Sequence, residues 1–246
     1  MSSNISPVIV IFGAGPGLGA SVARRFGREG FRVALVGRRQ EPLLEFAELL
    51  KADGIEAVPF TADLSNPARV PALIAGIRER FGRIDVIEYG PASAADQGFV
   101  PAAQLDVVAL EKYVRLFLLT PVEIVRQVLP ELIERGNGAI LVTHGSSSAT
   151  GIPFLSGVGP AMAAMRNYLY SLNGELEGTG VYAGTLTIGA LITSGDSLAD
   201  QGFPGDAEAA TTFPTVHPDT LAGLYWDMYV QRRAVEQAYP ELVVAV

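Results

Sequence analysis

Pro7-Val8-Ile9-Val10-Ile11-Phe12 runs directly into Gly13-Ala14-Gly15-Pro16-Gly17-Leu18-Gly19. This junction constrains the fold more than any other stretch of the chain. A short apolar run with no polar alternation predicts a strand buried on both faces of a parallel sheet. Gly13 has access to backbone angles closed to other residues and turns the chain off the strand. Gly17 leaves the backbone open to a pyrophosphate, and Gly19 lets the next helix lie close. That helix, Ala20 to Glu29, aims its amides and dipole at an anion. Gly15 and Leu18 complete the loop. The alternative is a tight turn with no ligand. A second strand at 31–37 supplies the context that a lone glycine triplet lacks.

Strand and helix patterns alternate almost to the end, which predicts a doubly wound α/β fold: seven strands, mostly parallel, with helices on both faces. The strands are expected at 8–12, 31–37, 55–60, 84–89, 138–144, 181–189 and 241–245. The helices are expected at 18–29, 40–53, 67–81, 106–134, 157–178 and 217–236. Pro121 should kink or break the fourth helix. No composition shift divides the chain, so residues 1–246 read as one domain. The irregular segment 193–218, rich in Gly, Pro, Asp and Thr, follows the sixth strand and reads as a lid or binding loop.

Composition narrows the function. A net charge of −8 argues against a nucleic-acid partner. Without cysteine there is no disulfide, thiolate catalysis or thiolate metal site. No histidine–carboxylate spacing suggests a metal. No apolar run approaches a bilayer span, and Met1–Ser6 lacks a basic leader segment, so a cytoplasmic protein is expected.

The second strand ends in Val36-Gly37-Arg38-Arg39. An acid at this point would bond ribose hydroxyls, whereas a guanidinium suits a 2′-phosphate. Two arginines and no acid point to NADP(H) over NAD(H). The other reading makes Arg38 and Arg39 solvated loop charges. Asp63, beside Leu64 after the third strand, has two readings, an acceptor for the adenine amino group or a cap for the next helix.

These residues together resemble the short-chain dehydrogenase/reductase family. The glycine spacing fits its phosphate loop. Asp63, the stretch Phe81-Gly82-Arg83-Ile84-Asp85-Val86, the strand Gly138–Val142 and Leu172–Leu176 fit its later elements. The resemblance covers about residues 7–195 and implies a Rossmann-type fold. It implies that Leu191 and Thr193 contact the nicotinamide carboxamide, and that Gly90, in the turn after the fourth strand, joins the cofactor site. Family members pair their fourth and fifth long helices. Both are apolar on more than one face here, so a homodimer or homotetramer is expected.

The family's proton-transfer residues are missing. Its Tyr-x3-Lys pair has no counterpart, because the only lysines, Lys51 and Lys112, lie outside the fifth helix. Lining up Glu175-Leu176 puts Val158 and Met162 at the tyrosine and lysine positions. It puts Gly145 at the serine and Phe117 at the asparagine. These four residues would form an apolar substrate pocket. Candidates for the lost proton chemistry are His144, Ser146 and Tyr89. The competing readings are a histidine packed at a strand end, a turn-forming serine and a structural aromatic. Glu88, at an inner strand position, is either a general acid or base or the partner of an arginine.

Two functions fit. One is an NADP(H)-dependent oxidoreductase acting on a small hydrophobic carbonyl, enone or imine by a nonstandard proton transfer. The other is an inactive NADP(H)-binding relative that serves as a sensor or an assembly subunit.

Overall fold

The computed structural model describes residues 6–91, 99–194 and 214–241. Its first strand, β1 (Val8–Phe12), is buried at every residue, as an apolar run flanked on both sides must be. After it come α1 (Leu18–Arg28), β2 (Arg32–Gly37), α2 (Gln40–Ala52), β3 (Ala57–Thr61), α3 (Val70–Phe81) and β4 (Val86–Tyr89). The strands of one seven-stranded sheet run β3-β2-β1-β4-β5-β6-β9, where β5 is Gly138–Gly145, β6 Val181–Ile188 and β9 Glu236–Tyr239. Each described pairing in it is parallel. Pro59 lies in β3, an edge strand, where a missing N–H is tolerated.

Helices cover both faces. Phe26 of α1, Leu50 of α2 and Tyr225 of α7 (Pro218–Gln231) pack on one side. Ile77 of α3, Val128 of α5 (Thr120–Arg135) and Met165 of α6 (Val158–Glu175) pack on the other. Strand order reverses between β1 and β4, so their carboxyl ends open the crevice where such sheets take ligands.

The fourth helix continues through Pro121 but widens into a π-helical turn just before it. It is α4 (Val107–Val114) and α5, joined by a π-helical turn over Arg115–Leu119. Proline has no N–H and its ring crowds the carbonyl four residues back, here that of Phe117; the wider turn relieves both.

The C-terminal part departs from expectation. α7 stops at Gln231 instead of 236, because Arg232 adopts left-handed angles, with φ 50°. Its guanidinium holds that turn by donating to the Gly180 carbonyl at 2.6 Å and to Asn137 Oδ1 at 2.9 Å. The seventh strand is Glu236–Tyr239 and precedes the expected 241–245; residues 242–246 lie outside the described residues. Glu236 tolerates an inner position because Arg166, Tyr170 and Thr187 all donate to its carboxylate. Of the expected lid, 195–213 lies outside the described residues. Its flanks form a two-stranded parallel ladder, β7 (Leu191–Ile192) with β8 (Thr215–Val216).

Candidate cofactor and active site

The glycine turn sits at the switch point. Gly13 has φ +98°, and a Cβ there would lie 2.5 Å from Pro91 Cα, so only glycine fits between β1 and the chain leaving β4. Gly19 is packed differently: a Cβ would meet Ala14 Cα at 3.2 Å and Ile11 Cγ2 at 3.4 Å. Gly17 has nothing within 4 Å on its Cβ side, and Gly15 is almost as open. No side chain caps the N-terminus of α1 and no acid lies in its first turn. The amides at Leu18 and Gly19 therefore begin a helix whose positive end faces an open cradle, which fits a pyrophosphate.

Beyond β2, Arg38 and Arg39 are exposed. Asp63 takes up a local role: its Oδ1 accepts from the Ser65 amide at 2.9 Å and the Ser65 hydroxyl at 2.8 Å. Those two bonds, with a smaller contribution from nearby Arg38, hold its carboxyl below the usual range. The cap of the following turn is Asn66. Leu64 is buried and its carbonyl accepts from the Thr120 hydroxyl at 2.7 Å.

Phe117, Val158 and Met162 come together with Ala161 in one buried cluster. Gly145 joins them, its amide 3.5 Å from Met162 Sδ. The residues at the positions of the missing catalytic groups thus pack into one buried apolar cluster at the start of α6. Tyr113 escaped the sequence reading. It lies on α4 and packs against this cluster. A Cβ on Gly157, just before Val158, would fall 2.4 Å from its Cε2. The glycine at 157 was the available signal, but only the helix packing reveals the ring it admits.

The three candidate proton donors separate. Ser146 is partly exposed beyond the end of β5, and a Cβ on Gly189 would sit 3.6 Å from its Oγ. His144 is corrected to a packed histidine. It points under α6, with Nδ1 2.7 Å from Thr185 Oγ1, and burial holds its imidazole down at about 3. Tyr89 is likewise corrected to a structural aromatic. It is buried, its hydroxyl donates to the Leu116 carbonyl at 2.5 Å, and burial pushes the phenol well above its ordinary value. Glu88 has no arginine among the described residues; its Oε1 accepts from Thr143 Oγ1 at 2.8 Å. Gly90 lies directly over that pair. The amides of Leu191 and Thr193 are already engaged by the carbonyls of Pro214, at 2.8 Å, and Val216, at 3.0 Å. A nicotinamide contact there would have to use other atoms.

The short chain dehydrogenase family model matches residues 7–200. Dehydrogenase/reductase SDR family member 7B of Danio rerio is 31% identical over 193 residues, 76% of this chain and 62% of that protein. The NADP-dependent 3-hydroxy acid dehydrogenase YdfG of Shigella flexneri is 28% identical over 225 residues, 89% and 87% of the two chains. The chain spans 62% of the length of several such curated relatives. L-sorbose reductase from Gluconobacter frateurii, solved with NADPH and L-sorbose, superposes with a TM-score of 0.84 at 20% identity, covering 100% of both chains.

Proposed function

Because the chain belongs to the short-chain dehydrogenase family, we propose that it is an NADP(H)-dependent oxidoreductase. Its substrate is a small hydrophobic carbonyl, enone or imine, reduced without the family's usual tyrosine–lysine pair. The observation that carries this reading is an open glycine cradle at the switch point of a sheet whose strand β5 ends at an uncharged cluster of Phe117, Val158 and Met162. The cradle fits a pyrophosphate, and Arg38 and Arg39 are positioned to suit a 2′-phosphate. One relative described above is named as NADP-dependent and one structural neighbour was solved with NADPH, which supports the same cofactor.

When bound, NADPH supplies the hydride. The chain supplies orientation and exclusion of water at the apolar wall. Tyr113, packed against that wall, and Ser146, just beyond the end of β5, are candidate hydroxyls for polarising a substrate oxygen or nitrogen. The two lysines, Lys51 and Lys112, lie on α2 and α4, so α6 carries no lysine to stabilise a phenolate.

The test is turnover of NADPH, against NADH, with a panel of hydrophobic ketones, enones and imines. Turnover of at least one class with preference for NADPH supports the proposal; binding of NADPH without any turnover refutes its catalytic half. A homo-oligomer belongs to the same reading, supported by exposed Val107, Val108, Leu119 and Ile133 along α4 and α5. Light scattering of the eluting protein would check it, and a monomer would refute it.

A further inference from the structure

Two carboxyl groups are buried in the sheet, and they are treated in opposite ways. Asp85, at the amino end of β4, accepts from the Val8 amide at 2.8 Å and pairs with Arg83 and Arg135. Glu88, three residues on, has no cation facing it among the described residues. In register it is flanked by Ile11 of β1 and Leu141 of β5. Thr143 of β5 donates to its Oε1 at 2.8 Å, and the Tyr225 hydroxyl of α7 lies 2.5 Å from Thr143 Oγ1. Among the described residues, Tyr225 is the titratable group bonded to this chain of hydroxyls, and burial keeps its phenol well above the ordinary value.

This carboxyl lies under the glycine turn. A Cβ on Gly90 would be 2.7 Å from both Glu88 Oε1 and Thr143 Oγ1. A Cβ on Gly13 would be 2.9 Å from the Gly90 carbonyl carbon and 2.5 Å from Pro91 Cα. An unbroken path of contacts therefore runs from Glu88 through Gly90 and Pro91 to Gly13, at the switch point of the sheet. Thr143 keeps partial exposure at the carboxyl end of β5.

We propose that Glu88 is a positioning residue of the dinucleotide site: as a neutral acid it supports the floor of the glycine turn through Thr143 and Gly90, and its ionised form opposes binding of the anionic dinucleotide. A carboxylate here would be an uncompensated negative charge in a low-dielectric interior, beneath a cradle for phosphates. Burial pushes the carboxyl up to about 8, so the neutral form prevails at neutral pH. By linkage, dinucleotide binding and proton binding at Glu88 favour one another. The inference rests on the NADP(H) reading above.

The test is NADPH affinity of the full chain between pH ~7 and ~9.5, a window in which the 2′-phosphate stays ionised. Energy transfer from Trp226, the single tryptophan, to the bound dihydronicotinamide reports binding. Calorimetry in buffers of different ionisation enthalpy reports proton uptake. The wild type is expected to lose roughly tenfold in affinity across the window and to take up a fraction of a proton at pH ~8. Glu88→Gln should bind with less than about a twofold change across the window and no linked uptake. Thr143→Val removes the bond that favours the charged form, so its loss of affinity should begin at higher pH; this variant keeps the test open if Glu88→Gln fails to fold. A pH-independent wild type, an unchanged onset in Thr143→Val, or a Glu88→Gln profile that copies the wild type overturns the inference while leaving the cofactor reading intact. Absence of NADPH binding at pH ~7 overturns both.

Discussion

The Tyr89 hydroxyl donates to the carbonyl of Leu116, tying the end of β4 to the π-helical turn between α4 and α5. The bond places a phenol where the helix needs a donor, since a widened turn leaves its carbonyls poorly served. Tyr89→Phe should therefore cost about 1–2 kcal/mol of stability, through a buried carbonyl left unpaired. NADPH affinity should stay within about twofold of wild type, since the ring faces away from the cradle. Urea unfolding and a binding titration check the two halves, and a selective loss of binding would place the phenol in the cleft after all.

Gly13 and Gly17 make opposite demands. Alanine at Gly13 combines a left-handed φ with a 2.5 Å contact to Pro91 backbone, so Gly13→Ala should destabilise the fold by at least about 1–2 kcal/mol. Alanine at Gly17 meets nothing within 4 Å. Gly17→Ala should leave stability within about 0.5 kcal/mol and weaken NADPH binding by roughly tenfold or more, because the methyl group fills space meant for a phosphate. Thermal unfolding with and without NADPH separates the two effects.

In the proposed cofactor site, Arg38 meets the 2′-phosphate that distinguishes NADP(H) from NAD(H). Arg38→Ala should raise the Kd for NADPH by about tenfold or more, the scale of one charge-assisted contact. The Kd for NADH should move far less. Equal losses for both cofactors would assign the arginine to general steering.

Stability should depend on pH through two buried groups with opposite signs. Burial moves Glu88 from 4.5 up to about 8. Between those values the folded chain holds a proton that the unfolded chain has lost, so stability falls as pH rises. Burial moves His144 from 6.5 down to about 3. Between those values the unfolded chain holds the extra proton, so stability is lost as pH falls. Each slope is at most about 1.4 kcal/mol per pH unit. The slopes oppose each other between about 4.5 and 6.5, where a plateau is expected. Chemical denaturation across pH should show the alkaline limb vanish in Glu88→Gln and the acid limb shrink in His144→Gln.

What could be read from the chain alone follows the range of the forces involved. β1 and its glycine turn were legible because a continuous apolar run and the backbone freedom of glycine act locally. Pro121 announced a disturbed turn because a missing N–H acts within one turn of helix. β9 was not legible: Glu236 and Gln237 look polar and helical, and Glu236 is tolerated only because Arg166, some 70 residues earlier, reaches it. His144 was placed correctly at a strand end, yet its alternation sends the ring under α6 instead of into the cleft. Glu88 was recognised as anomalous, but its lack of a cation depends on what every neighbouring element contributes. Tyr113 depended on α4 meeting the start of α6, a contact with no trace in either segment except Gly157.

The small ladder between Leu191–Ile192 and Thr215–Val216 brings two distant points of the chain to one strand spacing. Whatever lies between them starts and ends at the same place on the scaffold. Its length can change with little effect on the sheet, since doubling a loop adds only about 0.6 kcal/mol of closure entropy. Inserting a Gly/Ser stretch between Ile192 and Thr215 should shift the unfolding midpoint by no more than that allows. The clasp thus lets insertions between its two strands be accommodated without renegotiating the fold.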